Sequence, residues 1–239
     1  MDVDHIEPTP PTSHAVARQA LILSAIACRG GMEGDNSDPS GASSMIELIQ
    51  TWLRNLDLWS HLTRWEHRIV SAPFGTLSQR DAIDASWLSE SMAILAWALG
   101  KTPLPDCDKQ CDPASVATSL GFLKPVDMTV LTNPVLLEPG ALDEFNEFIY
   151  QIHWRLRDFS LFGRPYDFES LARAAWGTPV ERYGLKLIQG DIGIGGVPLY
   201  ESDDHERGHF GSITRERHRA SNWLIGYAAQ GFYEVTTDT

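Results

Sequence analysis

Apolar residues recur along most of this chain at the three- and four-residue spacing of helices. The longest such stretch is 78–100, SQRDAIDASWLSESMAILAWALG. Ser78 is placed as an N-cap, with Asp81 three residues on as an approximate capping box. No Gly or Pro interrupts until Gly100, which suits the residue just past a helix end. Ile83, Trp87, Ile94 and Ala98 fall on one side, which is expected to be the buried face. Glu90 falls on that side too. A carboxylate there needs a hydrogen-bonding partner, and an Arg or His from another helix is the expected one.

The same reading predicts further helices. Ser13 caps one over 14–29, with Val16, Leu21, Ile22, Ile26 and Ala27 as apolar positions and Gly30-Gly31 as its stop. Residues 33–43 have turn composition. Ser44 and Glu47 form a capping box for a helix carrying Met45, Leu48, Ile49, Trp52, Leu53 and Leu56. Thr63 and Glu66 cap another within 57–74, and Asp112-Pro113 reads as N-cap and N1 of a short helix over 113–120. Phe145, Phe148, Ile149, Ile152 and Leu156 define a helix over 141–158, with His153 bordering the apolar face and Asp158 opposite. Arg155 and Arg157 suit its C-terminal dipole. Helices are also expected over 166–176 and 213–229, with a short helical turn capped by Thr178, Pro179 and Glu181. Ala220, Trp223, Leu224 and Tyr227 mark the inner side of the last helix, and Gly231 ends it.

The β signal lies at 185–199, where Leu185, Leu187 and Ile188 lead through Gly190-Asp191 to Ile192, Ile194, Val197 and Leu199. It reads as a short hairpin with a bulge at Gly195-Gly196. The fold class is therefore mainly α: a single-domain multi-helix bundle or array over 13–239, with a small β-hairpin in the C-terminal half. Residues 1–12, acidic and proline-rich, read as a disordered arm. The loop-rich stretch 121–140 is where a subdomain junction would fall.

Composition narrows the function classes. The 239 residues are 43% hydrophobic, enough for a sizeable core. Net charge is −13, from 19 Lys and Arg against 32 Asp and Glu, which opposes binding to nucleic acid and suits a basic protein partner. No apolar run reaches transmembrane length, and MDVDHIEPTPP lacks the basic start of a signal peptide. Cys28, Cys107 and Cys111 make no disulfide framework, so a reduced, cytoplasmic setting is expected.

Several clusters invite chemistry and carry little of it. Cys107 and Cys111 lack the second pair of ligands that a structural zinc site needs. The glycines at 190–196 lack the Lys-Ser/Thr of a phosphate-binding loop and read as turn residues. Asp203, Asp204, His205, Glu206 and His209 resemble loose metal ligands, but also an ordinary hydrated acidic surface. No metal and no cofactor is assigned. The remaining candidates form a polar cluster: Glu90, His153, Glu216, Arg217 and Arg219. Glu216 lies near Ala220 and Trp223 on the inner face, Arg219 near its edge, and Arg217 more laterally. The carboxylates would serve either general acid–base chemistry or an interhelical Arg–Glu network, and the surplus of Arg and His favours the network.

Several motifs in fixed order add a resemblance. They are E-x(6)-W-A-L-G from Glu90 to Gly100, His153-Trp154, GDIGIGGVPL, and ERHRASNWLIGY over 216–227 with the terminal EVTTDT. Together they resemble the uncharacterised bacterial DUF4272 domain family over roughly residues 14–239. The resemblance implies a mostly helical domain and shared importance for Glu90, His153, Glu216, Arg217 and Trp223; it implies no activity, substrate or cofactor. The expected function is a non-catalytic protein- or ligand-binding domain, such as an acidic protein that neutralises a basic partner. The alternative is a small hydrolase or transferase using Glu90, His153 and Glu216.

Overall fold

The computed structural model describes residues 9–34, 38–175, 183–227 and 231–238. Among them are eight α-helices and three short strands, so the chain is mainly helical with one small sheet. The helices are α1 (Ser13–Gly34), α2 (Pro39–Asn55), α3 (Arg64–Ser71), α4 (Gln79–Ala98), α5 (Pro113–Leu120), α6 (Pro139–Phe162), α7 (Phe168–Ala175) and α8 (Asp204–Leu224). The strands are β1 (Leu187–Ile188), β2 (Asp191–Ile194) and β3 (Val197–Pro198). The chain divides into two compact units. The first holds Thr12–Leu104 and Cys111–Leu137; the second holds Pro105–Gln110, Glu138–Thr239 and the N-terminal residues up to Pro11.

In the first unit α1 packs along α4. Gly30 and Gly31 do not stop α1, which continues to Gly34. A Cβ on Gly30 would lie 2.6 Å from the Ser86 nitrogen and 2.7 Å from the Ala82 oxygen, both on α4. Glycine is thus required for close approach of two helices, and the surrounding packing offsets its low helix propensity. The start of α1 is capped by Thr12 rather than Ser13, since the Thr12 hydroxyl accepts the Ala15 N–H at 3.2 Å.

Helix α4 begins as expected: the Ser78 hydroxyl accepts the Asp81 N–H, and Gly100 is left-handed at φ 64°. Its burial differs. Ile83 is 46% exposed, whereas from Leu88 to Ala98 almost every residue is buried, Ser89, Glu90 and Ser91 included. The second half of α4 has neighbours on all sides, so a single-face projection does not describe it.

Helix α2 starts earlier than the Ser44 capping box predicts. Asp38 accepts the Gly41 N–H, Pro39 occupies the first turn, and the Ser44 hydroxyl bonds back to Ser40 O. Small residues read as a turn are thus compatible with helix once a cap and an N1 proline start it. Leu48, assigned to the apolar face, is 49% exposed. The capping box of α3, Thr63 with Glu66, and the Asp112-Pro113 start of α5 stand as predicted.

In the second unit α6 packs on α8. Asp158, expected on the outer side of α6, is buried against Arg155. The sheet is an antiparallel meander, β1-β2-β3. Gln189 and Gly190 join β1 to β2 with φ of 53° and 79°; Gly195 and Gly196 join β2 to β3 with φ of 61° and 90°. Two central residues with positive φ are the signature of a type I′ hairpin turn. The Gly195-Gly196 pair is therefore a second turn, not a bulge. The last helix spans Asp204–Leu224 instead of 213–229, and Tyr227, assigned to its inner side, is 54% exposed. The Thr178-Pro179-Glu181 turn and residues 1–8 of the predicted arm lie outside the described residues.

Candidate functional site

The five polar residues singled out in the sequence divide between the units. Glu90 belongs to the first, where it is fully buried and its Oε1 accepts the Cys111 N–H at 2.8 Å. His153, Glu216, Arg217 and Arg219 belong to the second. Glu216 is 4% exposed and accepts Arg219 Nη1 at 2.8 Å, with Arg215 3.5 Å away. This i, i+3 pair on one helix is local, as helical spacing allows.

His153 makes a contact that spacing does not suggest. Its Nδ1 lies 2.8 Å from Nδ1 of His218, a buried residue of α8. One ring must donate and the other accept, so the arrangement holds with at least one neutral imidazole. Burial pulls His153 down to about 4, helped by the charges of Arg157 and Arg215. Burial also pulls His218 down to about 3, with His153 adding to it. His218 carried no signal in sequence beyond being a histidine on a helix with mixed faces.

Arg217 is buried rather than lateral. Its guanidinium donates to Asp106 O and Lys109 O, both at 2.7 Å. Arg217 thereby pins the segment Pro105–Gln110 onto α8. Cys107 is buried in that segment, and its thiol is pushed up to about 11 by burial, with the Asp108 charge adding to it. A thiol so held is protonated at neutral pH and a poor nucleophile.

The pinned segment carries Asp108 to one wall of a cleft of about 390 Å³. The other walls are Gly193, Ile194 and Gly195 of the β2–β3 hairpin and His205, Glu206, His209 and Phe210 of α8. Ile194 and Phe210 are buried and give the cleft an apolar part, while Asp108, His205, Glu206 and His209 line the rest. The Glu206 carboxylate occupies the space that a Cβ on Gly195 would take, so only glycine lets it lie there. This volume and composition are those of small-ligand sites.

These residues depend on α8 starting at 204. The Asp203 carboxylate accepts the Glu206 N–H at 2.8 Å, and Asp204 and Glu206 sit in the first turn, where acids favour the helix dipole. The stretch expected to be a hydrated acidic segment is a helix N-terminus. A reading that finds no H-E-x-x-H spacing anywhere in the chain is wrong in the letters alone, since His205-Glu206-Arg207-Gly208-His209 has it. On a helix, residues 205 and 209 share a face. Arg207 turns elsewhere, to Asp204, the Ser202 carbonyl and the Phe159 ring.

The first unit has a cleft of its own, about 440 Å³, lined by Cys28, Gly31, Met32, Asp38, Gly41, Ala42 and Met45. Burial raises the Cys28 thiol. All three cysteines are free thiols. Among the described residues no group of three or more His, Cys, Asp or Glu side chains could hold a metal ion, and no helix is long and apolar enough to cross a membrane.

A family model, the domain of unknown function DUF4272, matches residues 3–170, well over half of the chain, and the chain belongs to that family. The match includes Glu90 and His153. It ends before the β meander, Glu216, Arg217, Trp223 and the α8 face of the cleft, whereas the resemblance read from motifs runs to residue 239. No curated protein and no solved structure matches the chain.

Proposed function

We propose that this DUF4272 member is a non-catalytic binding protein that takes a small, positively charged ligand in the cleft of its second unit, in a reduced cytoplasmic setting. The observation that carries the reading is that two carboxylates, Asp108 and Glu206, and two histidines line one cleft with the buried Ile194 and Phe210. Carboxylates beside a partly apolar cleft attract a cation more strongly than they would in open water. The net charge of −13 works in the same direction over longer range.

Catalysis by Glu90, His153 and Glu216 has less support. Both carboxylates are buried and hydrogen-bonded, and the His153 ring is engaged with His218. A general acid or base needs a reachable proton path. A basic protein partner is the second reading, favoured by the overall charge alone.

A thermal-shift screen of the full chain tests the cleft. The panel holds small organic cations, primary amines and guanidines among them, divalent metal ions, and neutral and anionic controls. Cations are expected to raise Tm, and Asp108→Trp, which fills the mouth from an exposed position, to remove the effect. Equal shifts from anions, or shifts that survive Asp108→Trp, would overturn the assignment.

A further inference from the structure

We infer that the face of the first unit around Trp59 and His61 is a docking surface for a short acidic segment of a partner protein, whose carboxylates it receives on Arg18, Arg54 and Arg64. The inference uses none of the residues of the second unit's cleft. Asp and Glu outnumber Lys and Arg in this chain by 32 to 19, so an arginine has carboxylates at hand wherever the fold offers one. Elsewhere in the first unit that happens: Arg29 pairs with Glu33, Arg68 with Asp81 and Arg80 with Asp84. Among the described residues, Arg18, Arg54 and Arg64 have no carboxylate partner. They also come from elements that meet. Arg54, in the last turn of α2, holds its guanidinium 4.0 Å over the Trp59 ring. Trp59 lies edge-on to His67 of α3, with ring centroids 4.4 Å apart. Arg18 of α1 has its Nη1 3.2 Å from Nε2 of His61, two residues past Trp59. Arg64 is exposed at the first position of α3, between His61 and His67 in the chain. The carboxylates within 54–68 offset little of this charge. Glu66 is buried and accepts the Thr63 N–H at 2.7 Å and the Gln19 amide at 3.2 Å, which leaves Asp57 as the exposed one.

A guanidinium held over an indole is already positioned, so binding through it costs less side-chain freedom. Arginine donors meet a carboxylate two at a time, and such charged hydrogen bonds are about twice as strong as neutral ones. Arginine and tryptophan are also enriched among the side chains that dominate protein–protein contacts. Half-buried Trp59 offers an apolar edge beside the charges, which suits an aromatic or aliphatic residue among the acids. The rest of the molecule sets the length of the partner segment. The net charge of −13 repels a long polyanion such as nucleic acid. At physiological ionic strength, exposed charges more than about 8 Å apart are largely screened from each other. A few acidic residues therefore feel the three arginines more than the surrounding acidity, whereas a nucleic-acid backbone must run past them.

The test is fluorescence anisotropy of the full chain with a fluorescein-labelled peptide of glutamate, glycine and a single tyrosine. The peptide is expected to bind, and its copy with glutamine for glutamate to bind at least about tenfold more weakly, the loss of a charged hydrogen bond. Arg54→Glu and Arg64→Glu should each weaken binding by about tenfold or more. Both side chains are exposed, so circular dichroism melts of these variants should match the parent chain. Arg80→Glu makes the same change of net charge at an exposed arginine that already has a carboxylate, and should cost less than about threefold. No binding of the glutamate peptide, or equal binding of the glutamine peptide, would overturn the surface. So would equal losses in Arg80→Glu and Arg54→Glu, which would reduce the effect to net charge. A thymidine oligonucleotide of matching length that binds more tightly than the peptide, and is weakened by the same two variants, would overturn the acidic segment as the partner.

Discussion

Each of the two units is built around a helix pair of its own, and the two pairs pack by different means. In the first unit α1 meets α4 across small and apolar residues: Ala17, Ala20, Ile26 and Gly30 on one side, Ala85, Met92, Ala93 and Ala96 on the other. In the second, the α6 and α8 pair is threaded with polar groups. Asn146 bonds to Ser221 and Asn222, and His153 to His218. From α6, Arg155 forks onto Asp191 at 2.9 and 2.6 Å, with Asp158 at 2.9 Å. Apolar packing is insensitive to pH and to the direction of its contacts, and answers mainly to volume. A buried polar network gains little net stability, but losing one member leaves the others unpaired. At the α1–α4 contact added bulk is the more disruptive change, and in the α6–α8 pair it is the loss of a polar partner.

Breaking the arginine network gives the largest contrast. Arg155→Met should destabilise by about 3–5 kcal/mol, the cost of stranding buried charges. The triple variant Arg155→Met, Asp158→Asn, Asp191→Asn should recover much of it. Urea denaturation measures both, and a single variant no less stable than the triple would remove the distinction between the units.

Acid comes next. His153 and His218 are held below their ordinary range, so between about pH 6.5 and their folded values near 4 and 3 the unfolded chain binds more protons than the folded one. Stability is fully present above pH 6.5, falls as pH drops through that window, and levels off below it as far as these groups are concerned. The double variant His153→Gln, His218→Gln should flatten that stretch of a Tm-against-pH curve.

Overpacking sharpens the other side. Gly30→Leu should cost about 1–3 kcal/mol or more, because the new side chain meets α4 backbone and has nowhere to fold away. A leucine at the exposed Gly208, in the first turns of α8, should change denaturant stability far less. The smallest expected effect is local: Thr63→Ala removes one half of the α3 capping box and should cost about 1 kcal/mol by thermal melting.

The starts of α3, α4 and α5 were legible, whereas those of α1, α2 and α8 fall elsewhere than expected. Thr63-Glu66, Asp112-Pro113 and Ser78-Asp81 work through bonds between residues two or three apart, so the sequence contains both partners. Helix ends and burial were less legible. Gly30 looks like a stop until α4 is beside it. Ile83 looks buried until its turn proves to lie at the surface. Of the polar candidates, Glu90 and Glu216 are buried as their faces indicated, but their bonds to the Cys111 N–H and Arg219 could not be chosen among many donors from periodicity.

By itself the sequence determined a mainly helical chain, the caps of α3, α4 and α5, its acidity and the position of the β meander, because each depends on spacing or on a count. It also contained the H-E-x-x-H spacing, whose meaning depended on knowing that 204–224 is helix. Only the tertiary structure decided that Arg217 carries the Asp108 segment, that His153 faces His218, and that the hairpin, α8 and the 105–110 segment enclose a cleft. Those are contacts between residues far apart in the chain, and no local propensity reports which distant group will satisfy a buried charge.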